Sequence, residues 1–236
     1  MGAARERCAG AGGLPGSVAG VMRVAVISDL HGNLPPVPAC ELLLLGGDLC
    51  PAVDHGHEHQ AAWLDGEFRS WLEAAPAGAI VGIAGNHDFV FERQPELVPS
   101  DLPWTYLQDS SAEVGGLTIW GSPWTPWFFD WAFNSPKGEE AEPFFEAKFA
   151  AVPPAADVLL IHGPPHGYGD RTVSGIHAGS TAQLDLIDRL HPRLCAFGHI
   201  HEARGLWHRG ETTLVNSAAV DLQYELRDEP FELLEL

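Results

Sequence analysis

Eight residues of this chain have side chains suited to metal-ion chemistry: Asp29, His31, Asp48, Asn86, His87, His162, His199 and His201. They form a mixed oxygen and nitrogen donor set, which suits first-row divalent ions such as Mn, Fe or Zn. Each follows a short apolar run. Arg23–Ser28 precedes Asp29-x-His31, and Leu42–Leu45 precedes Gly46-Gly47-Asp48. Ile80–Ala84 precedes Gly85-Asn86-His87-Asp88, Asp157–Ile161 precedes His162, and Leu194–Phe197 precedes Gly198-His199-x-His201. Singly, each has an ordinary explanation: an aspartate caps a turn, an asparagine takes a left-handed turn, a buried histidine is hydrogen-bonded. Repeated in order at five run ends, the pattern points to one shared site. Eight groups exceed the needs of one tetrahedral ion, so two ions sharing a carboxylate is the economical arrangement.

Two divalent ions roughly 4 Å apart can hold a water between them, lower its pKa toward neutrality and orient a phosphoryl group for in-line attack. They also neutralise charge that grows in the transition state. No Ser-His-Asp or G-x-S-x-G arrangement calls for a protein nucleophile. The leaving alkoxide still needs a proton, and His87 is the candidate general acid, with Asp88 beside it to hold it protonated.

For these groups to converge, the apolar runs must be strands ending at one carboxyl edge, where α/β sheets bind ligands. Between them, residues 58–74 read as a helix with Leu64, Phe68, Trp71, Leu72 and Ala75 on its inner face and Gly66 weakening it. The preceding Asp54-His-Gly-His-Glu-His59 has a metal-binding composition, although a solvated loop leading into the helix explains it as well. Gly115-Gly116 and Arg209-Gly210 mark hairpins. Residues 139–152 read as a helix with Pro143 in its first turn. Ser180-x-x-Gln183 is a capping box for a helix expected to point Leu184, Ile187 and Leu190 inward. Residues 231–236 read as an edge strand. The segment Trp120–Phe133 holds four of the eight tryptophans, and its prolines exclude a regular helix. Its rings suit stacking on a nucleobase, or else fill the core under a long loop; Trp124, with His166 and Arg171 beyond His162, is a candidate substrate contact.

At 236 residues the chain is the size of one substantial domain, expected to span residues 22–236. Residues 1–21, rich in Gly and Ala, are expected to form a disordered tail or to lie upstream of a native start at Met22. No run approaches the roughly 18 apolar residues of a membrane span. The four cysteines include no C-x-x-C pair, which fits reduced thiols and a cytoplasmic location. Thirty-two acidic against thirteen basic side chains give a net charge of -19, a surface that disfavours long nucleic acids. A small phosphorylated ligand is still accommodated where metal ions reverse the local field.

Asp29-x-His31, Gly47-Asp48, Gly85-Asn86-His87-Asp88, His162 and Gly198-His199-x-His201 resemble, in order and spacing, the calcineurin-like metallophosphoesterases. Tyr106-Leu-Gln-Asp, Gly121-Ser-Pro-Trp124, His162-Gly-Pro-Pro165 and Phe197-Gly-His-Ile-His-Glu202 resemble a narrower group, the animal metallophosphoesterase-domain proteins and their bacterial relatives, similar to class III cyclic-nucleotide phosphodiesterases. Some animal members carry glycine at one ligand position; here the set is complete, His199 included. The resemblance implies a four-layer α/β/β/α sandwich of two mixed β-sheets flanked by helices. It implies that Asp29, His31 and His201 hold one metal, that Asn86, His162 and His199 hold the other, and that Asp48 bridges them. His87 would then stand by the pair without coordinating, with Asn86 and His87 also meeting substrate and Asp88 orienting His87. The expected activity is hydrolysis of small, nucleotide-like phosphodiesters or phosphomonoesters by a metal-bridging hydroxide. A phosphoprotein phosphatase, a nuclease, or a nucleotide-binding protein with little catalysis are the alternatives.

Overall fold

The computed structural model describes residues 21–236, so the tail expected over residues 1–21 lies, up to residue 20, outside the described residues. Four strands run in parallel through the first sheet: β1 (Arg23–Ile27), β2 (Cys40–Gly46), β3 (Ala77–Ile83) and the short β4 (Thr105–Tyr106). The second sheet holds β5 (Ser110–Val114), β6 (Leu117–Ser122), β7 (Val158–Ile161), β8 (Leu194–Phe197), β9 (Gly205–Arg209) and β10 (Thr212–Asn216), in the order β5-β6-β7-β8-β10-β9. Its four central strands are parallel, and its two edges are the antiparallel hairpins expected at Gly115-Gly116 and after Arg209. The C-terminal β11 (Glu232–Glu235) returns to pair antiparallel with β1, closing the edge of the first sheet.

Side chains alternate across a strand, and here both faces are buried, which is why the strands read as near-continuous apolar runs. Val24, Val26, Leu42, Leu44, Val81 and Ile83 face inward between the sheets, meeting Ile119, Val158, Leu160, Leu194 and Val215. The intervening Ala25, Ile27, Leu43 and Leu45 face outward, under Trp63, Leu64, Phe68, Trp71 and Leu72. On the other side Leu159, Ile161, Cys195, Phe197 and Leu214 pack against Phe145, Phe149, Leu186 and Ile187. The result is a helix, sheet, sheet, helix sandwich, as expected.

The first helical layer is α1 (His57–Trp63), a π turn over Leu64–Phe68, then α2 (Arg69–Ala74). The wide turn forms around Gly66, where the sequence weakens the helix, and its hydrogen bonds span five residues instead of four. A short α3 (Phe89–Arg93) follows β3. The second layer is α4 (Ala141–Phe149), with Pro143 in its first turn, and α5 (Thr181–Leu190). Ser180 caps α5 by accepting the Gln183 N–H, but the Gln183 side chain turns inward toward Cys195 instead of completing the box. The inner face of α5 also differs from expectation: Ala182, Gln183, Leu186 and Ile187 are buried, while Leu184 and Leu190 are half-buried. None of the described helices is long and apolar enough to cross a membrane.

Candidate metal centre

The five polar run ends come from two sheets, not one: β1, β2 and β3 of the first, β7 and β8 of the second. The sheets are joined at this rim. Ser28 forms a parallel bridge with Ala218, just beyond β10, and Ser28 N–H donates to Ser217 O. Two glycines allow the close approach. A Cβ at Gly198 would overlap Ser28 and the Asp29 carboxylate; one at Gly85 would overlap Asp48 and lie 2.7 Å from His162 Cε1. The backbone is turned left-handed at Asp29 (φ 53°), His31 (46°), Asp48 (52°) and His199 (69°). Such conformations cost an ordinary residue about 1 kcal/mol or more and gather where side chains must be re-aimed.

Seven of the eight candidate groups form two donor sets on either side of Asp48. In the first, His201 Nε2 lies 3.3 Å from Asp29 Oδ1 and 3.2 Å from His31 Nε2, and His31 Nε2 lies 3.7 Å from Asp48 Oδ2. In the second, Asn86 Oδ1 lies 3.0 Å from His162 Nε2 and 2.7 Å from His199 Nδ1, and His162 Nε2 lies 3.4 Å from Asp48 Oδ1. The hydrogen bonds behind the rings fix their tautomers. His162 Nδ1 donates to Gly46 O at 2.7 Å and His201 Nδ1 to Asp221 O at 3.1 Å. In each neutral ring the Nε2 lone pair therefore faces other acceptors, and only a cation or an added proton makes that arrangement favourable. The residues fit a divalent ion on both sides.

Without an ion, protons take that place. Burial alone would lower the pKa of His162, but the Asp48 carboxylate outweighs it and raises the value to about 9. At His201 burial is likewise outweighed, by Asp29, and the pKa rises. Burial pushes His31 down to about 3, and burial together with the His162 charge does the same to His199. Asp29 falls to about 2: burial opposes the shift, and His201 overcomes it by hydrogen bond and charge. Asp48 is held well below the carboxylate range, against burial, by His162 and His87.

His87 stands at the edge of both sets. Its backbone N–H donates to Asp48 Oδ1 at 2.7 Å, and a ring nitrogen lies within 4.8 Å of donor atoms of His31 and Asp48. Its carbonyl accepts from the buried Gln60 side chain, whose Oε1 accepts Val90 N–H, so α1 clamps the turn. The expected pairing of His87 with Asp88 is not found. The Asp88 carboxylate points back into the loop and accepts the N–H groups of Leu49, Cys50 and Gly85. The partner of His87 Nδ1 is His55 Nε2 at 3.3 Å, the one member of the histidine tract that reaches the site. The tract has a metal-binding composition, but no periodicity in it indicates which histidine turns in.

A cavity of about 620 Å³ opens over these groups, walled by Trp127, Phe128 and Trp131 and by the segments around Ile176 and Tyr224. Of the residues expected to meet substrate, Asn86 and His87 line it, and Trp124, His166 and Arg171 do not. The Trp124 indole is held elsewhere, donating to Asp109 and covered by Lys148 and Phe144. His166 is drawn toward Asp170, 3.8 Å away. Tyr224 was not legible as a site residue; it stands against His31 (ring centroids 4.7 Å apart) and His201 (5.4 Å) on a loop with no periodic pattern.

Comparison with known proteins agrees with this architecture. Residues 22–203 match the model of the calcineurin-like phosphoesterase family. Human metallophosphoesterase domain-containing protein 1 is 31% identical over 234 aligned residues, covering 87% of this chain and 68% of that protein. A UPF0046 protein of Caenorhabditis elegans is 30% identical over 225 residues, covering 85% of this chain and 76% of its own. Among solved structures, the phosphopantetheinyl hydrolase of Mycobacterium tuberculosis shares the fold, with a TM-score of 0.58 at 14% identity over 89% of this chain and 95% of that one. The match spans the loops that carry both donor sets, and the chain belongs to the calcineurin-like phosphoesterase family, as a metal-dependent hydrolase of phosphoric esters.

Proposed function

We propose that the site is dinuclear and that it hydrolyses small phosphodiesters or phosphomonoesters of nucleotide-like character. The observation that carries this reading is Asp48, whose two oxygens face different donor sets, Oδ2 toward His31 and Oδ1 toward His162. Asp29, His31 and His201 would hold one ion, Asn86, His162 and His199 the other, with Asp48 shared. Mn, Fe or Zn suits such donors. When bound, the ions supply Lewis acidity and an activated water for in-line displacement. The chain's own groups do the rest. Asp48 positions His87 through its amide, and His55 engages His87 Nδ1, leaving Nε2 to deliver a proton to the leaving oxygen. A cavity of about 620 Å³ suits a small substrate better than a long strand or a protein. A cytoplasmic location is supported by Cys40, Cys50 and Cys195, which are buried free thiols.

The test is to strip the protein with a chelator, reload it with Mn, measure metal per chain, and assay bis(p-nitrophenyl) phosphate beside p-nitrophenyl phosphate. Two ions per chain with turnover of either ester is the expected result. A single ion at saturation removes the dinuclear assignment, and two ions without turnover make the protein a binder instead of a hydrolase.

A further inference from the structure

The walls of the cavity differ from its floor. One side is aromatic: Trp127, Phe128 and Trp131, the last with its ring centroid 4.5 Å from that of His87. Val173, Ile176 and Tyr224 also line the cavity, the Tyr224 ring centroid 6.4 Å from that of His87. Five of these six are exposed by more than two fifths, Val173 at 76% and Ile176 at 63%. Large apolar side chains in a contiguous, water-facing rim mark a binding surface. Tyr224 is also held left-handed (φ 61°), a conformation that ordinary side chains rarely adopt.

Charge is the second observation. No lysine or arginine lines the cavity among the described residues. Lys137, the cation nearest that wall in sequence, lies on the ring of Trp127, 3.8 Å from its centroid. The charged group at the rim is acidic: Glu202, whose Oε1 accepts Val173 N–H and so ties the Val173 segment down. The cations behind the lining are engaged or set back: Arg227 donates to His201 O, and Arg171 precedes the lining residue Thr172. Burying an unpaired charge beside apolar walls is costly.

We infer that the substrate is a singly charged phosphodiester with a flat apolar ester group, seated against Trp131 and Tyr224 beside His87, and that these two residues determine specificity. The inference rests on the dinuclear hydrolase reading and narrows its substrate.

Binding tests it without depending on turnover. Mn-loaded protein is titrated calorimetrically with methyl(phenyl)phosphinate and dimethylphosphinate, monoanions with no ester bond to cleave that differ only in the aryl group. The phenyl compound is expected to bind at least tenfold tighter. Trp131→Ala and Tyr224→Ala should each narrow that ratio below threefold with metal content unchanged, and Trp131→Phe should restore most of it. Placing a carboxylate on the phenyl ring should weaken binding at least fivefold. Equal affinity for phenyl and methyl probes, an unchanged ratio in both alanine variants, or tighter binding of the carboxylated probe would each overturn the inference. Failure of both neutral-ring probes to bind a protein holding two ions would overturn the hydrolase reading beneath it.

Discussion

Replacing Asp88 by alanine separates two roles for that carboxylate. Its sequence position beside His87 suggests that it orients the imidazole; its hydrogen bonds show it holding together the loops after β2 and β3. The side chain is fully buried and accepts Leu49 N–H at 3.0 Å, Cys50 N–H at 2.8 Å and Gly85 N–H at 2.8 Å. Alanine leaves three buried donors unpaired, at about 1–3 kcal/mol each, so a loss of at least ~3 kcal/mol is expected. Asparagine keeps one acceptor oxygen but turns its amide toward at least one N–H donor. It also removes a charge whose pKa is raised by burial and by Asp48. Its expected cost is accordingly smaller, about 1–3 kcal/mol. The assay is urea unfolding of the chelated protein. With a slope of about 3 kcal/mol per molar urea, Asp88→Ala should move the midpoint down by about 1 M. Turnover per metal-loaded folded molecule should fall far less in Asp88→Asn than in a His87 variant. An alanine variant that unfolds within about 0.3 M of the parent while losing its activity would refute this and restore Asp88 as the partner of His87.

Other consequences follow from the same geometry. His87→Ala should retain both ions and lose about 10²- to 10⁴-fold in turnover, the range of general acid catalysis; loss of an ion would instead make His87 a ligand. Metal uptake should expel protons, because the metal-free chain holds His162 protonated up to about pH 9 and His201 above its ordinary range, whereas ligation needs neutral rings. Affinity should therefore rise with pH and level off above about 9, and calorimetry near pH 7 in buffers of different ionisation heat should report one to two protons released; none would refute the assignment. Gly85→Ala, which drives a methyl into Asp48, should bind fewer than two ions, and full loading with ordinary turnover would contradict the packing described.

The strands and the donor groups at their ends were legible because both follow from local pattern: an apolar run stops, a glycine permits a sharp turn, and Asp, Asn or His follows. What joins the sheets was not, since the Ser28–Ala218 bridge pairs residues 190 positions apart. Adjacency misled at Asp88, whose neighbour in sequence is not its partner in space. Composition misled at Trp124, indistinguishable from Trp127 and Trp131 until its indole is seen bonded to Asp109. In α5 the spacing of Leu184, Ile187 and Leu190 drifts around the helix, and the burial of Gln183 moves the inner face by part of a turn. His55 and Tyr224 lie in loops, where side-chain direction depends on tertiary contacts that no short-range rule encodes.

The wide turn at Leu64–Phe68 gives the first helical layer a tolerance to shortening. It holds one residue more than a regular helix of the same span needs, and Gly66 faces open space. Excising Gly66 would let the turn close with four-residue spacing while Gln60 and Phe68 keep their bearings, so the His87 backbone carbonyl held by Gln60 should stay in place. A one-residue excision in α5, at Asp185 for example, has no such slack, and would swing Leu186 and Ile187 by about 100° away from the sheet.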